Sequence, residues 1–106
     1  MKDFKLEKIN VNKITTGYFL PDLNESTIDL DELKESIKRQ GLLQPIGVAR
    51  SEITEGSDKY EWEILWGRKR FSAYKRLKNE TKGSKYNQIP AMVIDKVLTK
   101  EEAIQY

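Results

Sequence analysis

Two apolar periods meet at a single glycine. Tyr60, Trp62, Ile64 and Trp66 alternate with Glu61, Glu63 and Leu65, the period-two pattern of a strand. Gly67 follows at once, and beyond it Phe71, Tyr74 and Leu77 recur at three-residue spacing, the stripe of a helix. All-α and all-β architectures are thereby excluded, and a mixed α/β or α+β chain is expected.

The remaining segments read in the same terms. Ile9 and Val11 alternate with polar neighbours as a short strand, and residues 15–26 hold Gly17, Pro21, Asp22 and Asn24, the chemistry of a loop. Asp29 is placed to cap a first helix, with Glu32 three residues on as a capping box. Leu30, Leu33 and Ile37 form its apolar stripe, Lys38 and Arg39 suit its C-terminal dipole, and Gly41 ends it, with Leu42 and Leu43 covering the end. Pro45 borders a strand over Ile46–Arg50, and residues 51–59 are a polar loop around Gly56-Ser57-Asp58. After the second helix, residues 79–88 read as a loop and 89–94 as a last strand with Pro90 at its edge. Thr99 caps a final helix that opens with Glu101 and Glu102. The predicted order is β-α-β-β-α-β-α. At 106 residues this is one domain. Because the chain stops two turns into a helix, it is expected to be an N-terminal piece of a longer protein.

Composition removes several chemistries. The chain has no cysteine and no histidine. Thiolate zinc sites, cysteine nucleophiles, Ser-His-Asp triads and imidazole switches are therefore excluded. No apolar run approaches the roughly 20 residues that span a bilayer, and the N-terminus lacks an apolar signal core. A cytoplasmic protein with no membrane partner is expected.

The net charge of +2 hides a strong asymmetry. Residues 1–66 carry 9 basic and 13 acidic side chains, whereas residues 67–106 carry 10 and 4. Six cations fall in residues 67–78 with no acid among them: Arg68, Lys69, Arg70, Lys75, Arg76 and Lys78. Cations in a first helical turn oppose the macrodipole, so three in a row suggest a negative ligand. Phosphate is the natural candidate, since a glycine there lets an anion approach unpaired backbone N–H groups. A solvated basic helix face is the plainer alternative. At 100° per residue Arg68, Ser72 and Lys75 share a face, as do Lys69 and Arg76. Glu61 and Glu63 could hold Mg²⁺ or exchange protons, although strand carboxylates more often face solvent. Trp62 and Trp66 could stack a base, but their alternation with Ile64 favours core packing.

Several blocks together are recognisable. They are Leu33-Lys34-Glu35-Ser36-Ile37, Gly41-Leu42-Leu43-Gln44-Pro45-Ile46, the junction Trp62 to Ala73, Ile89-Pro90-Ala91-Met92-Val93, and Leu98-Thr99-Lys100-Glu101-Glu102-Ala103. In order and spacing this resembles the N-terminal domain of ParB-like partition proteins, within the ParB/sulfiredoxin superfamily. The resemblance covers the chain from about Ile9 onward. It implies a small mixed-sheet domain whose strand–helix junction cradles nucleotide phosphates, with CTP as the ligand. On this reading Gly67, Arg68, Lys69, Arg70 and Ser72 contact phosphate, while Gln44, Pro45 and Ser36 line the pocket. DNA is the implied partner, through a helix-turn-helix beyond Tyr106. Apart from the resemblance, the basic helix offers Lys75, Arg76 and Lys78 as candidate contacts to a DNA backbone. A homodimer engaged by CTP and a nucleoid-associated location are implied as well.

The family's junction reads Gly-Glu-Arg-Arg; here it is Gly67-Arg68-Lys69-Arg70. That glutamate is associated with magnesium and CTP hydrolysis. Arg68 in its place removes a metal ligand, so Mg²⁺ dependence is doubtful and at most a weak NTPase is expected. Sulfiredoxins carry a catalytic cysteine after the corresponding glycine. Arg68 stands there, so that chemistry is excluded. A nucleotide-independent DNA-binding or adaptor module is the alternative reading, with a nuclease or phosphotransferase behind it.

Overall fold

A computed structural model of the chain describes residues 4–15, 27–42, 44–51, 54–55 and 58–104. The elements run β1 (Phe4–Asn10), a 3₁₀ turn (Val11–Lys13), β2 (Ile14–Thr15), α1 (Thr27–Gln40), β3 (Ile46–Arg50), β4 (Thr54–Glu55), β5 (Asp58–Lys59), β6 (Trp62–Trp66), α2 (Arg68–Glu80), β7 (Gln88–Val97) and α3 (Lys100–Ile104). The three helices and the principal strands follow the order expected from the sequence, and the fold is the expected mixed α+β domain.

Five strands form one sheet in the order β1-β7-β3-β6-β2, and β4 pairs with β5 separately. The β1–β7 and β3–β6 pairs are antiparallel, whereas β3–β7 and β2–β6 are parallel. The sheet is therefore mixed. Pro90 is tolerated in the interior strand β7 because β3 pairs only from Ala91 onward.

Neighbouring residues on the central strands bury on opposite faces. Val48, Ile64 and Val93 join a core built with Leu30 and Ile37 of α1 and Phe71, Ala73, Tyr74 and Leu77 of α2. Ala49, Leu65 and Ile94 join a second cluster with Phe4, Leu98 and Ala103. Helices α1 and α2 thus cover one face and α3 part of the other. Double burial removes the polar-out half of the strand pattern. Hence Leu65 is 6% exposed and Glu63 only 4%, although alternation places both on a solvent face.

Local departures have local causes. Val11 leaves the strand because the Asn10 side chain accepts from the Asn12 N–H at 2.9 Å and closes a 3₁₀ turn. Helix α1 starts at Thr27, so Asp29 lies inside the first turn rather than at the cap. Helix α2 continues through Glu80 because that carboxylate accepts from Lys34 Nζ of α1 at 2.6 and 2.9 Å. Thr99 caps α3 as expected, in a reciprocal box: Glu102 N–H donates to Thr99 Oγ1 and Thr99 N–H to Glu102 Oε1, each at 3.1 Å. Most of the expected loop at 15–26, the Gly56-Ser57 turn and Leu43 lie outside the described residues.

Candidate functional site

Gly67 is demanded twice. Its φ of +87° is left-handed, a region that L side chains avoid. A Cβ at Gly67 would also stand 2.9 Å from Ile46 Cγ2 and 3.2 Å from Ile46 Cα. The glycine therefore lets the start of β3 pack directly under the start of α2. That contact carries the Gln44-Pro45 segment to the junction.

Helix α2 starts from Gly67 with no side-chain cap and no acid in its first turn. First-turn N–H groups have no acceptor within an α-helix, and the dipole is positive at that end. Lys69 is exposed there, with Arg68 and Ser72 half-buried. Arg70 turns back instead. Its Nη1 donates to the Gln44 carbonyl at 3.0 Å, the Pro45 carbonyl at 3.2 Å and Gln44 Oε1 at 3.4 Å. One guanidinium nitrogen thus clamps the 44–45 segment to α2. The sequence offers four cationic or hydroxyl side chains at this junction without distinguishing them. The structure separates Arg70, which grips protein, from Lys69, which faces solvent.

A cleft of about 210 Å³ opens beside this clamp. It is lined by Leu33, Ser36, Ile37, Leu42, Gln44 and Arg70, among others. Ser36, Gln44 and Arg70, drawn from three separate segments, are thereby brought together. Pro45 is half-buried next to them. The apolar walls, Leu33, Ile37 and Leu42, are visible in the sequence only as helix stripe and helix-end cover.

The other candidates lie elsewhere. On α2, Lys75 is exposed with Nζ 5.9 Å from the Phe71 ring, and Arg76 and Lys78 are half-buried. Glu61 and Glu63 do not form a carboxylate pair. Glu61 is exposed, and Glu63 is buried and accepts from Ser51 Oγ at 3.1 Å. Four residue steps, about 13 Å at about 3.3 Å each, separate Glu63 from Gly67. These carboxylates do not fit an Mg²⁺ ion at the junction, and no group of three potential metal-binding side chains occurs among the described residues. Both indoles are packing groups. Trp62 is 8% exposed, with the Arg50 guanidinium 4.2 Å above its ring. Trp66 covers Gly47, where a Cβ would meet its ring at 2.3 Å, and packs against Phe4 with centroids 5.4 Å apart and the rings tilted by 53°.

Among the described residues, three groups show displaced ionisation. Lys34 is raised, chiefly by its hydrogen bond to Glu80. Tyr74 is raised, first by burial and then by Tyr86. Glu102 is lowered, first by the Thr99 N–H and then by Lys96. None of them lies in the cleft or at the junction, so the displaced groups report on packing and capping.

No helix among the described residues is long and apolar enough to cross a membrane.

No curated protein matches the chain in sequence. Solved structures do. A C-terminally truncated chromosome-partitioning protein ParB from Caulobacter crescentus, complexed with CTP-gamma-S, superposes with a TM-score of 0.72 at 23% identity, over 95% of this chain and 49% of that one. The same partition protein complexed to the centromeric parS site gives 0.64 at 27% identity, over 84% and 40%. Sulfiredoxin from Arabidopsis thaliana gives 0.66 at 19% identity, over 95% and 94%. The chain spans about half the length, or less, of the partition-protein chains it matches. The ParB N-terminal domain family matches residues 2–106, nearly the whole length, and the chain belongs to that family.

Proposed function

We propose that this chain is the nucleotide-binding switch domain of a ParB-like partition protein, with CTP as its ligand. The observation that carries the reading is the convergence of Ser36, Gln44 and Arg70 on one cleft beside the uncapped start of α2. At about 210 Å³ the cleft is smaller than the 300–1,000 Å³ of a site that encloses its ligand. It suits the apolar and hydrogen-bonding part of a nucleotide, whose phosphates then extend over the helix start. Gly67 admits them to the backbone, Arg68 and Lys69 supply charge, and Ser72 supplies a hydroxyl. Arg70 and Pro45 hold the wall of the cleft. The CTP analogue in the Caulobacter crescentus complex supports the choice of base.

Arg68 stands where the resemblance places a metal-binding glutamate. A fixed cation there neutralises phosphate directly and supplies no base, so binding without efficient turnover is expected. The parS complex of the Caulobacter relative supports DNA as the eventual partner of the whole protein. Dimer formation on nucleotide binding belongs to the same proposal.

The test is calorimetry on the full-length protein with CTP, ATP, GTP and UTP, with and without Mg²⁺. CTP should bind, with little change on adding the metal, and Lys69→Ala should weaken it. Absence of binding to any nucleotide refutes the reading. Equal binding of all four refutes the choice of CTP.

A further inference from the structure

A second opening, of about 570 Å³, lies where β1, β7 and the α2–β7 connection meet. Lys8, Asn10, Ser84, Lys85, Asn87 and Gln88 line it, with Tyr74 and Pro90. It shares no residue with the nucleotide cleft.

Its chemistry is one-sided. No carboxylate lines it, and two lysines do. Three of its backbone carbonyls and one side-chain oxygen are engaged within the protein. The Gln88 carbonyl takes the Tyr74 hydroxyl at 2.7 Å. The Asn87 carbonyl takes the Val11 N–H at 3.0 Å, and the Ser84 carbonyl the Asn87 N–H at 3.2 Å. Asn10 Oδ1 takes the Asn12 N–H at 2.9 Å, so the group Asn10 can offer outward is its NH₂. The groove is therefore lined by two lysines, side-chain amides and a hydroxyl with no carboxylate, although Lys85 Nζ also lies 5.4 Å from the Tyr86 ring; the net charge is positive and suits an anion. Lys8 has no ion pair among the described residues.

An adjoining cleft of about 180 Å³ shares Tyr74, Lys85 and Pro90; it adds Lys38, which is paired with Glu35 at 3.8 Å, and it reaches Ile37, Gly41 and Leu42 of the nucleotide cleft. Two lysines in an opening of about 570 Å³ leave room for more than one phosphate, which suits a repeating anion. Single-stranded nucleic acid is bound by exposed aromatic rings that stack bases. Here Tyr74 and Tyr86 are each 7% exposed and packed edge to face with centroids 5.3 Å apart. With no ring to offer, the groove can read only a backbone.

We propose that this groove is a sequence-independent contact for the phosphodiester backbone of duplex DNA, with Lys8 and Lys85 each neutralising one phosphate. It does not depend on the nucleotide reading of the α2 junction, and the test is run without nucleotide.

The experiment measures binding of the full-length protein to a labelled random-sequence duplex by fluorescence anisotropy, between 50 and 200 mM KCl. For duplex DNA each lost phosphate contact lessens the slope of log affinity against log salt by about 0.9. The double variant Lys8→Gln, Lys85→Gln should therefore show a slope shallower by about 1.8. Equivalently, the wild-type advantage should shrink about twelvefold across that fourfold salt range. Lys8→Arg with Lys85→Arg should keep the wild-type slope, and thermal melting should show each variant folded. An unchanged slope in a folded glutamine variant overturns the proposal, as does absence of duplex binding by the wild type. Preference for the single strand that depends on Lys8 and Lys85 also overturns it. So does displacement of the duplex by millimolar inorganic phosphate at constant ionic strength, which identifies a small-anion site.

Discussion

Replacing Gly67 with alanine tests the keystone of the junction. Two costs are expected. An L residue in the left-handed region costs about 1–2 kcal/mol. The new methyl also lies 2.9 Å from Ile46 Cγ2 and 3.2 Å from both Ile46 Cα and Arg70 Nη2. Something must move, and the nearest backbone is the start of β3. Overpacking of this kind costs about 1–3 kcal/mol. Together these give about 2–5 kcal/mol. Gly41 supplies the control. Its φ is +76°, but a Cβ there meets nothing within 4 Å. Gly41→Ala should therefore lose only the conformational part, about 1–2 kcal/mol. With a urea slope of about 1.5 kcal/mol/M, the midpoint should fall by about 1.3–3.3 M for Gly67→Ala and about 0.7–1.3 M for Gly41→Ala. Equal midpoint shifts, at unchanged slope, would show that the approach of Ile46 to Gly67 has no energetic weight. The account of how the 44–45 segment reaches the helix would then fail. Because the displaced atoms belong to the Arg70 clamp, Gly67→Ala should also weaken nucleotide binding, whereas Gly41→Ala should disturb it less.

Arg70→Lys keeps the charge, but its ammonium ends one bond short of the Nη1 position that meets the three oxygens; nucleotide affinity should fall about tenfold, close to 1.4 kcal/mol. Full affinity in calorimetry would show that the clamp does not shape the cleft. Tyr74→Phe removes the 2.7 Å bond to the Gln88 carbonyl and should lower stability by about 1–3 kcal/mol in urea. In the wild type, burial holds the Tyr74 hydroxyl above its ordinary value of 10.0. The unfolded chain then loses that proton first, so stability is intact below pH 10 and declines as pH rises through the raised value. Tyr74→Phe should flatten that decline. The Thr99 N–H and Lys96 hold the Glu102 carboxyl below 4.5, so its contribution is complete above 4.5 and lost as pH falls through the lowered value. Glu102→Gln should remove that part of the acid slope; an identical acid limb would dismiss the capping box as its source.

What the sequence determined by itself is local and periodic. The switch of period at Gly67 dictated strand then helix, because side-chain periods of 2 and 3.6 cannot be satisfied by one backbone form. Gly41 and Thr99 marked helix ends because their chemistry acts within one turn. The concentration of cations after Gly67 was legible, because it needs only counting. The blocks that resemble ParB-like domains pointed to the right family for the same reason: they are motifs at fixed spacing.

Tertiary structure decided everything that depends on which segments meet. Glu63 reads as a surface carboxylate beside Glu61. Only a sheet covered on both faces makes it 4% exposed, and cover from a distant helix leaves no mark on strand period. Arg70 reads as one more phosphate ligand among three cations. That it grips Gln44 and Pro45 depends on β3 lying under α2, a contact across 25 or 26 residues. The groove at Lys8 and Lys85 was invisible for the same reason. Its two cations are 77 positions apart in the chain. They line one opening because β1 pairs antiparallel with β7 and so carries Lys8 to Pro90.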